Sequence, residues 1–134
     1  MTHFGISTHS IILQDHQFLV TKRPPTAKFG ANRWDTPGGT LDIGEQPETG
    51  LAREILEETG LTVTVDKPVI VHSKMVLEKD KQLIYLIFLC HYVTGEVKLS
   101  NEHTEYRWVT REQALELPLV DYLQRALEEM DLSI

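Results

Sequence analysis

The alternation of apolar and polar residues predicts β-strands over much of the chain. Residues 4–13 and 17–23 predict two strands joined by a turn at 14–16, and residues 61–65 and 69–73 predict two more, separated by Pro68. Residues 84–93 are apolar without alternation, which predicts a strand buried on both faces. Shorter strands are predicted within 95–99 and 106–109, whereas the proline- and glycine-containing stretch 22–34 predicts a loop.

Helical periodicity is confined to the middle and the end of the chain. Residues 47–59 predict a helix, because Pro47 suits a first turn, Leu51 and Ile55 are four residues apart, and Gly60 suits the C-terminal end. Residues 111–117 predict a short helix. An amphipathic C-terminal helix is predicted from apolar residues at helical spacing, namely Leu119, Val120, Leu123, Leu127 and Met130. The fold class is therefore mixed α/β, with a central sheet, one early helix and one late helix.

Composition is consistent with one globular domain spanning residues 1–134. The chain has 134 residues, of which 41% are hydrophobic and 25% charged, so it can form a core of its own. The single cysteine, Cys90, cannot form an internal disulfide and is expected to be a buried, reduced thiol. We therefore expect a cytoplasmic protein without a signal peptide, since no basic and apolar leader precedes the first strand. The longest apolar run, 83–90, is far shorter than the roughly 20 residues that cross a membrane.

The net charge of −7 narrows the class of partner. Lys and Arg form no cluster, which argues against a nucleic-acid polymer as partner. An acidic protein can still bind a phosphorylated small molecule when a divalent cation lies between the two sets of negative charge.

Three glutamates on the predicted helix 47–59 suggest such a cation. Glu54, Glu57 and Glu58 lie three and four residues apart, so they share one helix face. Two of them occupy the last turn, where the helix dipole disfavours negative charge. A solvated acidic face would explain a lone pattern of this kind. The surrounding residues favour a Mg²⁺ site instead, because Gly38 and Gly39 precede it and allow backbone to approach a ligand closely.

Other residues around the helix support the same interpretation. Arg53 can orient a carboxylate, and Glu45 can either bind metal through water or pair with Arg53. Gly50 lowers the helix propensity by roughly 1 kcal/mol relative to alanine, which suggests that another group packs closely there, with flexibility as the alternative.

Segment 39–61 resembles the Nudix box at every constrained position. That motif has a glycine, five residues, a glutamate, seven residues, Arg-Glu, an aliphatic residue, any residue, Glu-Glu, any residue, a glycine and an aliphatic residue. The matching residues are Gly39, Glu45, Arg53, Glu54, Ile55, Glu57, Glu58, Gly60 and Leu61. The resemblance implies an α/β/α sandwich with a central mixed sheet, and the box as a loop–helix–loop.

The resemblance also implies a reaction and a set of site residues. Family members hydrolyse a nucleoside diphosphate linked to another group, with Mg²⁺, or Mn²⁺ in its place. By motif position, the metal ligands would be Glu54, Glu57, Glu58 and the carbonyl oxygen of Gly39. Arg53 would orient these ligands, and Glu45 would be a supporting or water-mediated ligand.

The general base is left open, because in this family it is either a box glutamate or an acidic residue of a later loop. Within the loop 101–105, Glu102 is the first candidate for a base or a further metal ligand, against an ordinary exposed residue. Glu105 is the second candidate. His103 can donate to phosphate, but a solvated loop histidine is the favoured interpretation.

Two further residues are candidates for substrate binding. Arg23 follows the second strand and can contact a phosphate, or it is a surface arginine. Trp34 can stack on a base, although a structural aromatic that supports the box is favoured. Tyr85 and Phe88 are predicted to belong to the core.

Features outside the box narrow the substrate by exclusion. The proline, tyrosine and SQPWPF-type signatures of ADP-ribose, diadenosine polyphosphate and NADH hydrolases are absent. A MutT-like nucleoside triphosphate pyrophosphohydrolase remains, with ADP-ribose or a nucleotide sugar as the alternative substrate, and a homodimer is left open. Two non-catalytic hypotheses are a silent nucleotide-binding module and an unrelated acidic cation-binding domain. Neither is favoured, since the box glutamates are complete and no calcium-loop pattern occurs.

Overall fold

One mixed sheet with helices on both faces forms the protein in the computed structural model, which describes residues 2–130. The strands are β1 (His3–Gln14), β2 (Gln17–Lys22), β3 (Trp34–Asp35), β4 (Gly38–Thr40), β5 (Thr62–Val76), β6 (Lys81–Thr94) and β7 (Glu105–Val109). The helices are α1 (Pro47–Thr59), α2 (Arg111–Leu115) and α3 (Asp121–Glu129). Residue 1 and residues 131–134 lie outside the described residues, so the single-domain range 1–134 stays a prediction.

The sheet has the strand order β3-β2-β1-β6-β5, with β4 paired to β1 and β7 paired to β2. The β1–β6 pair is parallel, whereas the other pairs are antiparallel, so the predicted mixed sheet is confirmed. Strands β4 and β2 pair with the same edge of β1. The middle of β1 pairs with β4 and its C-terminal end pairs with β2, which places the glycine-containing strand β4 against the centre of the sheet.

Two hydrophobic cores lie on opposite faces of the sheet, as alternation along the strands requires. Ile12 and Leu19 pack under α1 with Leu51 and Ile55 of that helix. Their chain neighbours face the opposite way, into a larger core under α2 and α3 that includes Ile11, Phe18, Val20, Leu123 and Leu127. The layers therefore follow the predicted sandwich.

Helix α1 begins and ends where the sequence predicts. Pro47 occupies the first turn, and Gly60 ends the helix with a left-handed φ of 77° while its N–H donates to Leu56 O. A glycine suits this position because other residues rarely adopt a positive φ.

Two strand predictions differ from the structure. Residues 62–76 form one strand rather than two, with register shifts between Val65 and Lys67 and between Pro68 and Ile70. Strand β5 lies at the edge of the sheet and pairs only with β6, so the missing N–H of Pro68 can be tolerated there. No strand forms within 95–99, because this segment is instead bound to the end of α1.

Tyr85 and Phe88 are buried, and Cys90 is fully buried without a disulfide, as predicted. Burial, the largest effect, raises the pKa of the Cys90 thiol to about 12. Within residues 2–130, the helices are too short and too polar to cross a membrane.

Candidate active site

Strand β4 carries two glycines into contact with the centre of the sheet. Gly38 and Gly39 pair with His9 and Thr8 of β1. A Cβ on Gly38 would overlap the carbonyl oxygen of Thr8, so no larger residue fits without moving the strand. A Cβ on Gly39 would lie 2.9 Å from the carboxyl carbon of Glu54. Gly38 therefore lets the backbone of β4 lie directly against β1, and Gly39 lets it lie directly against α1.

Glu58 is the buried carboxylate of the site. Its side chain is only 6% exposed, and its Oε2 accepts a hydrogen bond of 3.1 Å from the N–H of Gly38. Burial raises the pKa of Glu58 to about 9, and the nearby charges of Glu102 and Glu54 act in the same direction. This carboxyl group consequently needs positive charge beside it in order to ionise near neutral pH.

The loop after β6 is held against the C-terminal end of α1 by backbone hydrogen bonds. Lys98 N donates to Thr59 O at 2.8 Å, and Ser100 N donates to Glu58 O at 3.0 Å. Carbonyl groups at the end of a helix have no partner within the helix, so they are available to bind this loop. The loop thereby brings Glu102 and His103 to Glu58.

Ligand atoms of Glu58, Glu102 and His103 all lie within 4.8 Å of one another. Glu102 is exposed, whereas His103 is buried, so the interpretation of His103 as a solvated loop residue is wrong. Burial first, and then the charge of Arg23, lower the pKa of His103 to about 4. The imidazole is therefore neutral at pH 7 and can act as a ligand or as a hydrogen-bonding group.

The two carboxylates among these donor atoms fit a hard divalent cation. The Nδ1 atom of His103 is buried without a hydrogen-bond partner, 4.0 Å from Oε1 of Glu58. Among residues 2–130, no Lys or Arg forms an ion pair with Glu58. A cation among these residues would supply the charge that the buried carboxylate lacks, and Mg²⁺ is bound through one or two carboxylates with water and phosphate oxygens.

Arg53 organises the other acidic residues of the box. Its Nε and Nη2 atoms donate to both oxygens of Glu45, at 2.9 and 3.1 Å. Its Nη1 donates to Glu57 at 3.1 Å, and its Nη2 also lies 3.4 Å from Oε1 of Glu54. The alternative in which Glu45 pairs with Arg53 is thus the one that the structure contains, and the hydrogen bonds from Arg53 lower the pKa of Glu45.

Gly50 is explained by the same arrangement. A Cβ at this position would lie 2.9 Å from Oε1 and 3.0 Å from the carboxyl carbon of Glu45. The glycine inside α1 therefore makes room for the Glu45 side chain, so close packing rather than flexibility accounts for it.

The predicted metal ligands are distributed over two neighbouring places. Glu58 and Glu102 lie in the cluster with His103. Glu54 lies against Gly39, partly buried, and burial raises its pKa. Glu57 is exposed and, like Glu45, is held by Arg53, so neither belongs to the cluster. Gly39 pairs with Thr8 of β1, and its carbonyl oxygen accepts a long side-chain hydrogen bond, 3.4 Å from Oγ1 of Thr8.

The substrate-binding candidates differ in where they lie. Arg23 is partly buried, donates to Phe29 O at 2.7 Å, and lies 3.4 Å from Asp35, and its charge acts on His103. The Trp34 side chain is buried in the core, with the Arg107 guanidinium 4.9 Å from its ring centre. The hypothesis that Trp34 stacks on a base is therefore wrong for this structure, and the structural alternative fits.

Glu105 lies 3.3 Å from Lys22 Nζ, and this ion pair makes it a poorer base candidate than Glu102. Glu102 has no such cation in contact among the described residues. The ion pair therefore favours Glu102 over Glu105, and the assignment of the base stays a prediction.

Sequence reasoning missed an aromatic cavity between β5, β6 and the start of α3. The cavity has a volume of about 190 Å³. Its lining residues are His72, Ser73, Lys74, Tyr85, Asp121, Tyr122 and Arg125. A second cavity of about 170 Å³ shares four of these residues and adds Phe29, Gly30 and Arg33. The tyrosine within an aliphatic strand, Tyr85, was the one signal in the sequence.

A buried chain of polar groups joins this cavity to strand β4. Tyr122 contacts His9 Nδ1 at 2.7 Å and also donates to Asp35, which lies three residues before Gly38. On the far side of the imidazole, Ser7 Oγ lies 2.6 Å from His9 Nε2. Burial raises the pKa of Asp35 to about 6 and lowers that of His9 to about 3.

Comparison with known proteins identifies relatives along nearly the whole chain. Residues 3–130 match the family model of the NUDIX domain. The chain is 31% identical over 121 residues to a MutT-like protein of Streptomyces ambofaciens, covering 90% of this chain and 73% of that one. It is 31% identical over 118 residues to the nucleoside triphosphatase NudI of Escherichia coli, covering 81% and 84%. The crystal structure of a MutT protein from Methanosarcina mazei Go1 superposes with a TM-score of 0.83 at 32% identity, covering 95% and 92%.

Proposed function

Because this chain belongs to the Nudix family of hydrolases, which act on phosphoanhydride bonds, we propose that it hydrolyses a nucleoside triphosphate to a nucleoside monophosphate and pyrophosphate. One observation carries the proposal. The buried Glu58, with its neighbour Glu102, is connected to the aromatic cavity in three steps. Glu58 is hydrogen-bonded to Gly38, Gly38 follows Asp35 by three residues, and Asp35 is hydrogen-bonded to Tyr122, which lines the cavity. A nucleoside triphosphate has the matching two parts, an anionic chain that needs a cation and a flat aromatic base that can stack on tyrosine rings.

The relatives support a nucleotide as substrate. NudI, at 31% identity, is named a nucleoside triphosphatase. The sequence signatures expected for ADP-ribose, diadenosine polyphosphate and NADH hydrolases are absent from this chain. ADP-ribose and nucleotide sugars therefore rank second.

The cation of the proposed reaction is Mg²⁺, with Mn²⁺ as a substitute. Glu58 would hold it together with the Gly39 carbonyl oxygen, and Glu54 and Glu57 would complete the set when phosphate is present. When bound, the cation would neutralise phosphate charge and lower the pKa of the attacking water. Glu58 is prepared for this role, since its position is fixed by the N–H of Gly38.

The remaining steps are assigned to side chains of this chain. Glu102 accepts the proton of the attacking water, because it is exposed to solvent and lies beside Glu58. Arg53 keeps Glu45, Glu54 and Glu57 from moving apart under their mutual repulsion. Arg23, which faces Asp35, donates to a phosphate oxygen, while Tyr85 and Tyr122 contact the base.

The test is a substrate panel with product identification, in Mg²⁺ and in EDTA. The panel contains ribo- and deoxyribonucleoside triphosphates, ADP-ribose and a UDP-sugar. We expect nucleoside triphosphates to give pyrophosphate in Mg²⁺ and no product in EDTA, with ¹⁸O from solvent entering a single product. A preference for ADP-ribose or a nucleotide sugar by more than about tenfold in kcat/KM, roughly 1.4 kcal/mol of transition-state binding, would reverse the ranking.

The same panel distinguishes the proposed hydrolase from a silent nucleotide-binding module. A silent module would bind nucleotide in calorimetry without releasing product. Light scattering of the enzyme with and without substrate would show whether a homodimer forms, which the proposal does not require.

A further inference from the structure

Tyr122 contacts both the aromatic cavity and the polar residues that lead to strand β4. Its ring stacks on Tyr85, with ring centres 4.9 Å apart and an angle of 16°, and both rings line the aromatic cavity. Its hydroxyl points away from the cavity, towards His9 and Asp35. The residue therefore forms the boundary between the cavity and the segment that leads to the glycines of β4.

The donor and the acceptor of each hydrogen bond around Tyr122 can be assigned in one consistent way. A tyrosine hydroxyl has one proton to donate, and here it donates to the Asp35 carboxylate. It must then accept from His9 Nδ1, so the neutral imidazole has its proton on Nδ1 and accepts from the Ser7 hydroxyl at Nε2. Removal of the tyrosine hydroxyl would leave both the Asp35 carboxylate and the His9 N–H without this partner.

Asp35 connects Tyr122 to the residues that follow Asp35 in the chain. Its Oδ1 also accepts from the backbone N–H of Thr36 at 2.7 Å, and its Oδ2 lies 3.4 Å from Arg23 Nη1. Pro37 O accepts two hydrogen bonds from Ser10, at 3.1 Å from the backbone N–H and 2.7 Å from the hydroxyl.

The next residue reaches the acidic cluster. Gly38 N–H donates to Glu58, so segment 35–38 is held by the tyrosine network at one end and by the buried glutamate at the other. The backbone before this segment is anchored independently, since Trp34 N and O are hydrogen-bonded to Pro118 O and Val120 N. Segment 35–38 is therefore held both by backbone pairing with β1 and β2 and by side-chain hydrogen bonds, and among those side chains Tyr122 is the one that also lines the cavity.

We propose that Tyr122 is a positioning residue that couples the aromatic cavity to the glycine strand of the active site. A base packed against Tyr85 and Tyr122 holds the hydroxyl on Asp35, and this keeps Gly38 on Glu58 and the Gly39 carbonyl in its place. The inference rests on the proposed function, because it assigns the base of the substrate to this cavity.

The first experiment compares Tyr122→Phe with Tyr92→Phe as a matched control. Tyr92 also donates one hydroxyl hydrogen bond, 2.8 Å to Gly95 O, but far along the chain from this segment and outside the proposed site. We expect Tyr122→Phe to lower kcat by about tenfold with KM changed by less than about threefold, since the ring remains in the cavity. Tyr92→Phe should leave both constants within about twofold.

A second measurement does not depend on turnover. In protein labelled with ¹⁵N-glycine, Tyr122→Phe should shift the amide resonances of Gly38 and Gly39 without substrate or metal. Tyr92→Phe should shift Gly95 and leave Gly38 and Gly39 in place. An unchanged Gly38 and Gly39 in Tyr122→Phe, together with kcat within about twofold of the parent, would overturn the proposal.

A double-mutant cycle with Asp35→Asn tests whether the loss of kcat in Tyr122→Phe is exerted through Asp35. If Tyr122 acts through Asp35, the double variant should be no slower than Asp35→Asn alone, whereas independent losses that multiply would refute the coupling. A purely structural role would lower the midpoint of thermal unfolding and leave kcat of the folded enzyme unchanged. Failure of the unaltered enzyme to hydrolyse any nucleotide would refute the proposed function instead, and the glycine resonances would still decide whether the link exists.

Discussion

The backbone N–H of Gly38 and the buried carboxylate of Glu58 are hydrogen-bonded, 3.1 Å apart, across the contact between β4 and α1. Twenty residues separate them in the chain, yet this bond fixes the most buried acid of the box relative to the glycine strand. A single N–H cannot compensate the burial of a full negative charge, which is why the pKa of Glu58 is raised to about 9. The charge of Glu58 at neutral pH therefore depends on a cation beside it.

Glu58→Gln should lower turnover by a factor of roughly 10²–10⁴, as expected for loss of a metal ligand and its charge. An amide oxygen can still accept from Gly38, so the variant should fold. Turnover is measured at saturating Mg²⁺, and folding by circular dichroism. Glu48→Gln is the control, since Glu48 lies exposed in the first turn of the same helix. Equal activity of a folded Glu58→Gln variant would refute the metal assignment.

The stability of the metal-free protein should fall as the pH rises from 7 to 9. In this range the folded state keeps a proton on Glu58, whose pKa is raised from an ordinary value of 4.5 to about 9, and the unfolded state does not. Stability decreases with pH wherever the folded state binds more protons. Asp35, His9 and His103, with folded pKa values of about 6, 3 and 4, exert their effects at lower pH.

The measurement is the midpoint of thermal unfolding in EDTA, at several pH values. Glu58→Gln should show a flatter dependence than the parent between pH 7 and 9. Mg²⁺ should raise the midpoint more at pH 9 than at pH 7, because the ligand must lose its proton to bind the cation. Parallel curves for the two proteins would show that Glu58 does not titrate in this way.

Gly50→Ala should weaken metal binding although it improves the helix. Alanine gains about 1 kcal/mol of helix propensity over glycine. Its Cβ would displace the Glu45 carboxylate, 2.9 Å away, and disturb both hydrogen bonds from Arg53. We expect unfolding in EDTA to be little changed and the Mg²⁺ concentration for half-maximal activity to rise by about threefold to tenfold. A stabilised variant with the parent's Mg²⁺ requirement would contradict the proposed role of the Glu45–Arg53 pair.

Tyr85→Leu should raise KM for a nucleoside triphosphate by about tenfold, since one aromatic wall of the cavity is lost, while kcat should change by less than about threefold. Steady-state kinetics on the preferred nucleotide separates the two constants. Hydrolysis of inorganic tripolyphosphate, if detectable, should be unaffected because it has no base. An unchanged KM for the nucleotide would place the base elsewhere.

The sequence by itself determined the fold class and the chemistry of the box. The spacing of apolar residues predicted β1, β2, β6, β7 and α1 within a few residues. It did so because each of these elements buries apolar side chains, and the positions of those side chains follow the period of the strand or helix. The same spacing placed Glu54, Glu57 and Glu58 on one helix face. Arg53 could be matched with Glu45 as one of two alternatives, since both lie within one short segment.

Only the tertiary structure decided which of these acids is buried and what surrounds it. Glu57 and Glu58 are adjacent in the sequence, yet the first is exposed beside Arg53 and the second is buried against Gly38. Burial depends on which elements pack over a helix face, and neither spacing nor composition encodes that. The contact of His103 with Glu58, and the link from Tyr122 through Asp35 to β4, join residues 45 to 87 positions apart. Such contacts are set by sheet order and by loop docking, which the chain establishes only when it folds as a whole.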